Sequence, residues 1–295
     1  MLSDNNIKMD DIRVKMLERP ELDNPVLIEG LPGVGLVGKL AGDHLLDELD
    51  GKKFAEIYSI YLPPQVNIQK DNTVELVNMG LYYWKNKKND MILLLGGFQG
   101  LTPESQYRIS DKTLDIAEEL GVGRIFTLGG LGTGSITKNP KVYGAATSKV
   151  LVDELSEHGV VFRGSGAIFG ASGLLLGLGM DRDMDAVCLM GETHGQIIDA
   201  KSAEVVLNVL TSMLDGGADG EGQQDDRRAE EGHGQAVLHG SAHLHKIVHS
   251  YLSASTGLSC AACLAGRTPD MHPTMKEKAS APMISSGVML ALIMV

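Results

Sequence analysis

The run Met91–Leu95 is apolar at every position, and it constrains the fold more than any other segment of the chain. A strand with one face in water alternates apolar and polar residues, whereas a strand covered on both faces is apolar throughout. The run has strand length and is followed by Gly96 and Gly97, which favour a turn. We therefore predict an inner strand with helices packed on both faces of its sheet.

Short β-branched or Leu-rich runs, most of them bounded by Gly, Pro or Asn, predict seven further strands. These are Ile12–Met16, Val26–Ile28, Phe54–Leu62, Thr73–Tyr82, Arg124–Leu128, Val160–Phe162 and Ala186–Met190.

Amphipathic helical stretches separate these strands. Thr102 and Pro103 form an N-cap followed by proline at the first helical position, and Gly121 ends the helix that they begin. Asp199 can cap a second clear helix. Strands that alternate with helices predict an α/β fold, a three-layer sandwich with a mostly parallel central sheet, built from residues 1–214 as one domain.

The segment 215–295 differs from the rest of the chain. It begins polar and Gly-rich without a helical period, and we expect a disordered tail. A change of reading frame is a second hypothesis, because the composition matches neither the domain nor a typical linker.

Cys260 and Cys263 have metal-like spacing, with His243, His245 and His249 upstream, but a structural zinc site needs four ordered ligands. We expect no metal.

The segment Glu29–Lys39 is a glycine loop that follows a strand and opens a helix. Gly33, Gly35 and Gly38 fit a dinucleotide fingerprint, and Gly33 with Gly38-Lys39 fits an incomplete phosphate loop. Leu40 replaces the magnesium-binding hydroxyl, and Glu56 lies too near the start of its strand to bind ribose. The alternative is a tight turn that lets the helix pack close to the sheet. We favour this structural role and expect no cofactor; if a nucleotide does bind, Gly33, Gly35, Gly38 and Lys39 are its ligands.

An enzyme of this class would place its chemistry where the strands end. Glu192 and His194 there could form an acid–base pair, and Thr133 could contact an anion. The alternative is that these residues cap helices or meet water, while the glycines serve turns. Ser165 and Ser172 lack the pattern of a nucleophile elbow. We expect no catalytic residues; Cys188 is predicted to be a buried hydrophobe, and His44 and His158 ordinary helix residues.

Composition excludes several further classes. A formal net charge of −12 argues against a phosphate-backbone ligand, so we expect no nucleic-acid partner. No apolar run is long enough to span a bilayer, so we expect no membrane partner. Three cysteines and an N-terminus without a signal peptide favour the reducing cytoplasm.

Four ordered segments together resemble the proteasome assembly chaperone family, in particular its archaeal branch. They are PVLIEGLPGVGLVGKLAGDHL, MILLLGGFQGLTPESQY, RIFTLGGLGTG and GSGAIFGASGLLLGLG. The resemblance covers about residues 10–214 and gives its glycines and proline a structural role as family motifs: Gly30, Pro32, Gly33, Gly35, Gly38, Gly96, Gly97, Gly129 and Gly130.

The resemblance implies a fold similar to nucleoside phosphorylases without their catalysis. It also implies a homo-oligomer that binds α subunits of the core proteasome as an assembly chaperone. Some family members look as if they use a C-terminal hydrophobic–Tyr–any-residue tail, whereas this chain ends Leu292-Ile293-Met294-Val295. The alternative function is a nucleotide-binding or phosphorylase- or hydrolase-like enzyme that uses the glycine loop and the strand-end residues.

Overall fold

The computed structural model describes residues 11–86 and 88–216, and ten strands and five helices follow one another in this part of the chain. The strands are β1 Ile12–Met16, β2 Val26–Gly30, β3 Lys52–Ser59, β4 Val66–Ile68, β5 Val74–Leu76, β6 Met79–Trp84, β7 Met91–Gly96, β8 Arg124–Gly132, β9 Val142–Ala146 and β10 Asp185–Thr193. The helices are α1 Val37–Leu49, α2 Pro103–Glu119, α3 Lys149–Glu157, α4 Gly170–Met180 and α5 Ala200–Gly216.

Eight of the described strands form one sheet in the order β1-β3-β6-β7-β2-β8-β10-β9. Strands β7, β2, β8 and β10 are parallel, and the other neighbours pair antiparallel. The predicted parallel arrangement thus holds at the centre, while the sheet as a whole is mixed. The flank is antiparallel because no helix separates β3 from β6 or β6 from β7, and a parallel pair needs a long crossover.

Helices cover both faces of this sheet. Along β7, Ile92 and Leu94 face α2 and α4, whereas Met91, Leu93 and Leu95 face α1, α3 and α5. All five side chains are buried, which confirms the prediction of an inner strand and of a three-layer α/β arrangement. The expected likeness to nucleoside phosphorylases stays a prediction.

The helix ends agree with the sequence signals. Thr102 Oγ1 accepts a hydrogen bond of 3.2 Å from the Ser105 N–H, and the Ser105 hydroxyl accepts one of 2.8 Å from the Thr102 N–H. This reciprocal capping box begins α2, as predicted from Thr102 and Pro103. Asp199 Oδ1 likewise accepts from the Ser202 N–H at 3.0 Å, at the start of α5.

Several predicted strand bounds were wrong. The predicted strand Thr73–Tyr82 is two strands, β5 and β6, because the chain bends out of the sheet between Leu76 and Met79. The segment Val160–Phe162 makes only a single bridge, between Val161 and Tyr143. Strands β4 and β9 were not predicted, since both are short and lack the apolar run of a buried strand; β4 is exposed at all three positions and β9 is buried only at its first residue.

Strands β4 and β5 form a separate two-stranded ribbon between β3 and β6, which we call the β4–β5 arm. Met79, the first residue of β6, pairs with Gly96, the last residue of β7. The arm therefore leaves the main sheet at the edge where the parallel strands end.

In the described part of the chain, no helix is both long and apolar enough to cross a membrane. The predicted tail from residue 217 onward, including its cysteines and histidines, lies outside the described residues. Helix α5 runs to Gly216, so the predicted domain boundary at Leu214 falls at the limit of what the structure describes, and the division into domain and tail stays a prediction.

Candidate functional site

The four parallel strands end at one edge of the sheet, where ligands of open α/β sheets bind. Strand β2 lies between β7 and β8 in the sheet. After β2 the chain continues into α1 on one face of the sheet, and after β7 it continues into α2 on the opposite face. Such a reversal opens a crevice at the end of the first strand, β2. The glycine loop and the loops after β7, β8 and β10 surround this position.

The glycine loop packs directly against β8 at the base of the crevice. A short 3₁₀ turn, Val34–Leu36, precedes α1, and a Cβ added to Gly38 would overlap the carbonyl oxygen of Leu128 in β8. A Cβ on Gly130 would overlap the Val34 carbonyl oxygen in the same way. The loop and β8 therefore touch backbone to backbone, the close packing that the structural interpretation of the glycines requires.

The residues predicted as alternative nucleotide ligands are not brought together. The Lys39 ammonium group is paired with the carboxylate of Asp43, one turn along α1. Glu56 lies in β3, with β6 and β7 between it and the glycine loop, and it forms ion pairs with Lys15 at 3.1 Å and Lys53 at 3.3 Å. No nucleotide-like constellation forms among these residues, and the absence of a cofactor stays a prediction.

Glu29, on which the sequence analysis placed no role, is a fully buried carboxyl group at the end of β2. Its Oε1 accepts a hydrogen bond of 3.0 Å from the Leu31 N–H, and its Oε2 accepts one of 2.9 Å from the Ser172 hydroxyl on α4. Burial raises the pKa of Glu29 to about 7, against hydrogen bonds from Ser172 and from the backbone of Leu31 and Leu128, which lower it. The available signal was a single acidic residue in an otherwise apolar central strand, which requires a partner.

Gln99, in the loop after β7, connects the same two segments. Its Nε2 donates to the Pro32 carbonyl at 2.6 Å, and its Oε1 accepts from the Ala171 N–H at 3.1 Å. Residue Phe169 at the N-cap of α4 supplies no side-chain hydrogen bond, so Gln99 caps this helix from a distant loop. Glu29 and Gln99 therefore hold the glycine loop against the start of α4.

Glu192 and His194, the candidates for an acid–base pair, do not form a hydrogen bond with each other. Glu192 Oε2 accepts from the Lys141 N–H at 3.3 Å, and Nδ1 of His194 is buried without a partner in the described part of the chain. Thr133 donates its N–H to the Thr193 carbonyl at 2.8 Å. These contacts tie the loop after β8 to β10 and present no proton-transfer path between Glu192 and His194.

The other chemical candidates are held in structural positions. The Ser172 hydroxyl donates to Glu29, and Ser165 lies in an exposed loop. His158 ends α3 and contacts the Ser212 hydroxyl at 2.7 Å. Cys188 is fully buried in β10, where burial raises the pKa of its thiol to about 12, so the thiolate needed for nucleophilic attack is suppressed.

Metal ligands are likewise not assembled in the part of the chain described. Residues 11–86 and 88–216 contain no group of three or more His, Cys, Asp or Glu side chains that could hold a metal ion.

Apolar side chains are exposed in every loop around the crevice. We call this set the strand-end surface, and it was not predicted, because single apolar residues in loops follow no period. Its members are Val34, Leu101, Ile136, Phe169, Ile197 and Ile198. Phe169 and Ile136 are 87% and 80% exposed, the largest values in the set. Exposed apolar groups that lie together mark sites of interaction with other molecules, including other proteins.

A family model described as "PAC2 family" matches residues 27–224. Among curated proteins, the uncharacterized protein MJ1210 of Methanocaldococcus jannaschii is 42% identical over 208 residues, which cover 70% of this chain and 80% of that protein.

Solved structures give the same likeness. PbaB of Pyrococcus furiosus, described as an archaeal proteasome activator, is 39% identical with a TM-score of 0.67, over 70% of this chain and 90% of that chain. PbaA of the same organism, described as an archaeal homolog of proteasome-assembly chaperone, is 29% identical with a TM-score of 0.60, over 69% and 85%.

Proposed function

The chain belongs to the PAC2 family, and from this premise we propose that it is a binding protein of the core proteasome, an assembly chaperone that binds α subunits, rather than an enzyme. It acts as a homo-oligomer in the cytoplasm, without a nucleic-acid or membrane partner and without a cofactor. Its three-layer fold is that of a phosphorylase-like protein that performs no catalysis.

The observation that carries this proposal is that the glycine loop and the polar side chains of Glu29 and Gln99 at the crevice contact the chain itself, whereas apolar side chains around it are exposed. An enzyme of this fold class needs an open crevice lined by polar groups that converge on a substrate. Here the glycine loop packs directly against β8, and the polar side chains of Glu29 and Gln99 are engaged with the chain's own backbone and hydroxyl groups. What the edge offers outward is the strand-end surface, and we assign the α-subunit contact to it.

The lining of that edge suits a contact that must later be released. Arg163 and Lys138 are exposed in the same loops as Phe169 and Ile136, so the surface mixes charged and apolar groups. Interfaces of non-permanent complexes have this mixed character, whereas permanent ones are more apolar. An assembly chaperone leaves its client when the ring is complete.

The proposal is tested by capture of purified archaeal proteasome α subunits on the immobilised full chain. We expect capture by the wild-type chain and a loss of roughly tenfold or more in affinity when Phe169→Ser and Ile136→Ser are combined, since buried apolar anchors dominate interface energies. The control is Val150→Ser, because Val150 is 76% exposed on α3, away from the crevice loops. Failure of the wild-type chain to retain α subunits, together with turnover in a phosphorolysis or hydrolysis screen, would refute the chaperone.

Activation of the assembled proteasome is a second candidate, because the solved structure with 39% identity is described as a proteasome activator. The two functions differ in the state of the α subunits that are bound. An activator raises peptide hydrolysis by intact core particles, whereas an assembly chaperone binds free α subunits and leaves that rate unchanged. Peptidase assays with and without the full chain therefore distinguish them.

A further inference from the structure

One face of the β4–β5 arm is entirely apolar and is left uncovered by the described part of the chain. Val66 pairs with Leu76, and Ile68 pairs with Val74. Because side chains alternate along a strand and opposed residues share a side, these four point to the same face. They are between 49% and 74% exposed, with Ile68 the most exposed.

The charged groups of the arm lie elsewhere. Asn67 and Glu75 occupy the opposite face, where Glu75 Oε2 accepts a hydrogen bond of 2.7 Å from Gln69 Nε2. Lys70 and Asp71 are in the turn, and the Asp71 carboxylate accepts from the Thr73 hydroxyl at 2.7 Å. The apolar face thus contains no ionisable side chain.

A ribbon of this kind requires cover. A two-stranded hairpin is marginally stable by itself in water, and the largest exposed apolar patch of a soluble protein, usually roughly a few hundred Å², is often a functional surface. A partner that packs on the four side chains would stabilise the ribbon and remove their surface from water.

The composition of the face indicates which partner fits. Interfaces between identical subunits are the most apolar, whereas a client that must be released is bound through mixed surfaces such as the strand-end surface. The full chain carries a formal net charge of −12, so its copies repel one another in general. Packing the arm on its own copy matches apolar with apolar groups and opposes no like charges.

We propose that the apolar face of the β4–β5 arm is the contact through which two copies of this chain associate, face against the same face. The proposal deepens the self-association included in the proposed function and rests on it. Its side chains, Val66, Ile68, Val74 and Leu76, are separate from the strand-end surface assigned to the α subunits.

The test compares Ile68→Asp with Val150→Asp by sedimentation velocity of the full chain over a range of concentrations. Ile68 and Val150 are 74% and 76% exposed, so the two substitutions are matched in exposure. We expect Ile68→Asp to raise the self-dissociation constant by roughly tenfold or more, because it places two carboxylates together in an apolar contact. Val150→Asp should retain the wild-type constant, and circular dichroism would check that both variants fold.

A cross-link checks the arrangement of the two copies. In the background Cys260→Ser and Cys263→Ser, oxidised Ile68→Cys should give a covalent dimer and Val150→Cys should not, since the remaining Cys188 is buried.

The outcomes separate this proposal from the one on which it rests. Wild-type self-association that persists unchanged in Ile68→Asp, or the absence of a cross-linked dimer, overturns the arm contact and leaves self-association standing. A wild-type chain that is monomeric at all concentrations overturns self-association itself. If Ile68→Asp keeps its mass but loses the α subunits, the arm faces the proteasome and the assignment to a second copy is wrong.

Discussion

Ser172 donates a hydrogen bond of 2.9 Å to the buried carboxyl group of Glu29, across 143 residues of sequence. This contact joins the glycine loop at the end of β2 to the first turn of α4. Gln99 connects the same two segments, and Gly38 brings α1 onto the backbone of β8. The four sequence segments that resemble the assembly chaperone family therefore meet at one place, and the polar residues within them hold the strand-end loops in position.

The raised pKa of Glu29 makes stability depend on pH. The folded state keeps this proton up to a pKa of about 7, whereas an unfolded carboxyl loses it near 4.5. Between these values the folded state binds more protons, so the contribution of Glu29 is fully present below about pH 4.5, falls as the pH rises and levels off above about 7. In urea unfolding, the stability difference between Glu29→Gln and the wild type should shift in favour of Gln by about 3 kcal/mol from pH 4.5 to pH 8.

The measured quantity is that difference at each pH, since the contributions of all other groups cancel in it. A difference that stays constant over this range would show that the Glu29 carboxyl is not perturbed by burial.

A methyl group should destabilise the protein at Gly38 of the glycine loop but not at Gly33. Gly38→Ala places a Cβ against the Leu128 carbonyl oxygen and forces α1 away from β8, so we expect a loss of about 2–4 kcal/mol or a failure to fold. Gly33→Ala meets no atom within 4 Å, and its φ of −154° is extended backbone that alanine adopts freely. Thermal unfolding of both variants checks the pair, and equal stabilities would contradict the close packing of the loop.

Sequence patterns sufficed where the cause is local. The bounds of β1, the capping of α2 by Thr102 and the two-sided burial of Met91–Leu95 all follow from the order of neighbouring residues. Strand β9 could not be predicted, because its pairing depends on β10, more than forty positions away in the register Val142 with Gly191.

The residues that hold the candidate site together were not predicted from the sequence. The glycines at the strand ends were identified, whereas Glu29 and Gln99 were not, since their partners Ser172 and Ala171 lie in a different sequence segment. A single sequence gives no information on which distant residues meet. The exposed Ile136 was missed for a different reason, because exposure of an isolated loop residue depends on the tertiary fold.

The glycine loop is expected to bind no nucleotide. Its backbone already contacts β8, and Lys39 is paired with Asp43, so a phosphate group would have to displace both contacts. Calorimetric titration of the full chain with ATP, NAD and NADP should give no saturable heat at micromolar concentrations. Micromolar binding that disappears in Lys39→Ala would favour the function of a nucleotide-dependent enzyme over that of an assembly chaperone.

Substitutions of Gln99 should reveal how much its two hydrogen bonds contribute. Gln99→Leu leaves the Pro32 carbonyl and the Ala171 N–H without their side-chain partner, and each such group costs about 1–3 kcal/mol when it stays buried. Gln99→Glu keeps an acceptor for the Ala171 N–H but places a carboxylate oxygen against the Pro32 carbonyl oxygen, so we expect a loss of stability at least as large as in Gln99→Leu. Urea unfolding at pH 7.5 measures both free energies. If Gln99→Leu is as stable as the wild type, the Gln99 side chain does not hold the glycine loop against α4, and the Glu29–Ser172 hydrogen bond and packing must position the strand-end loops.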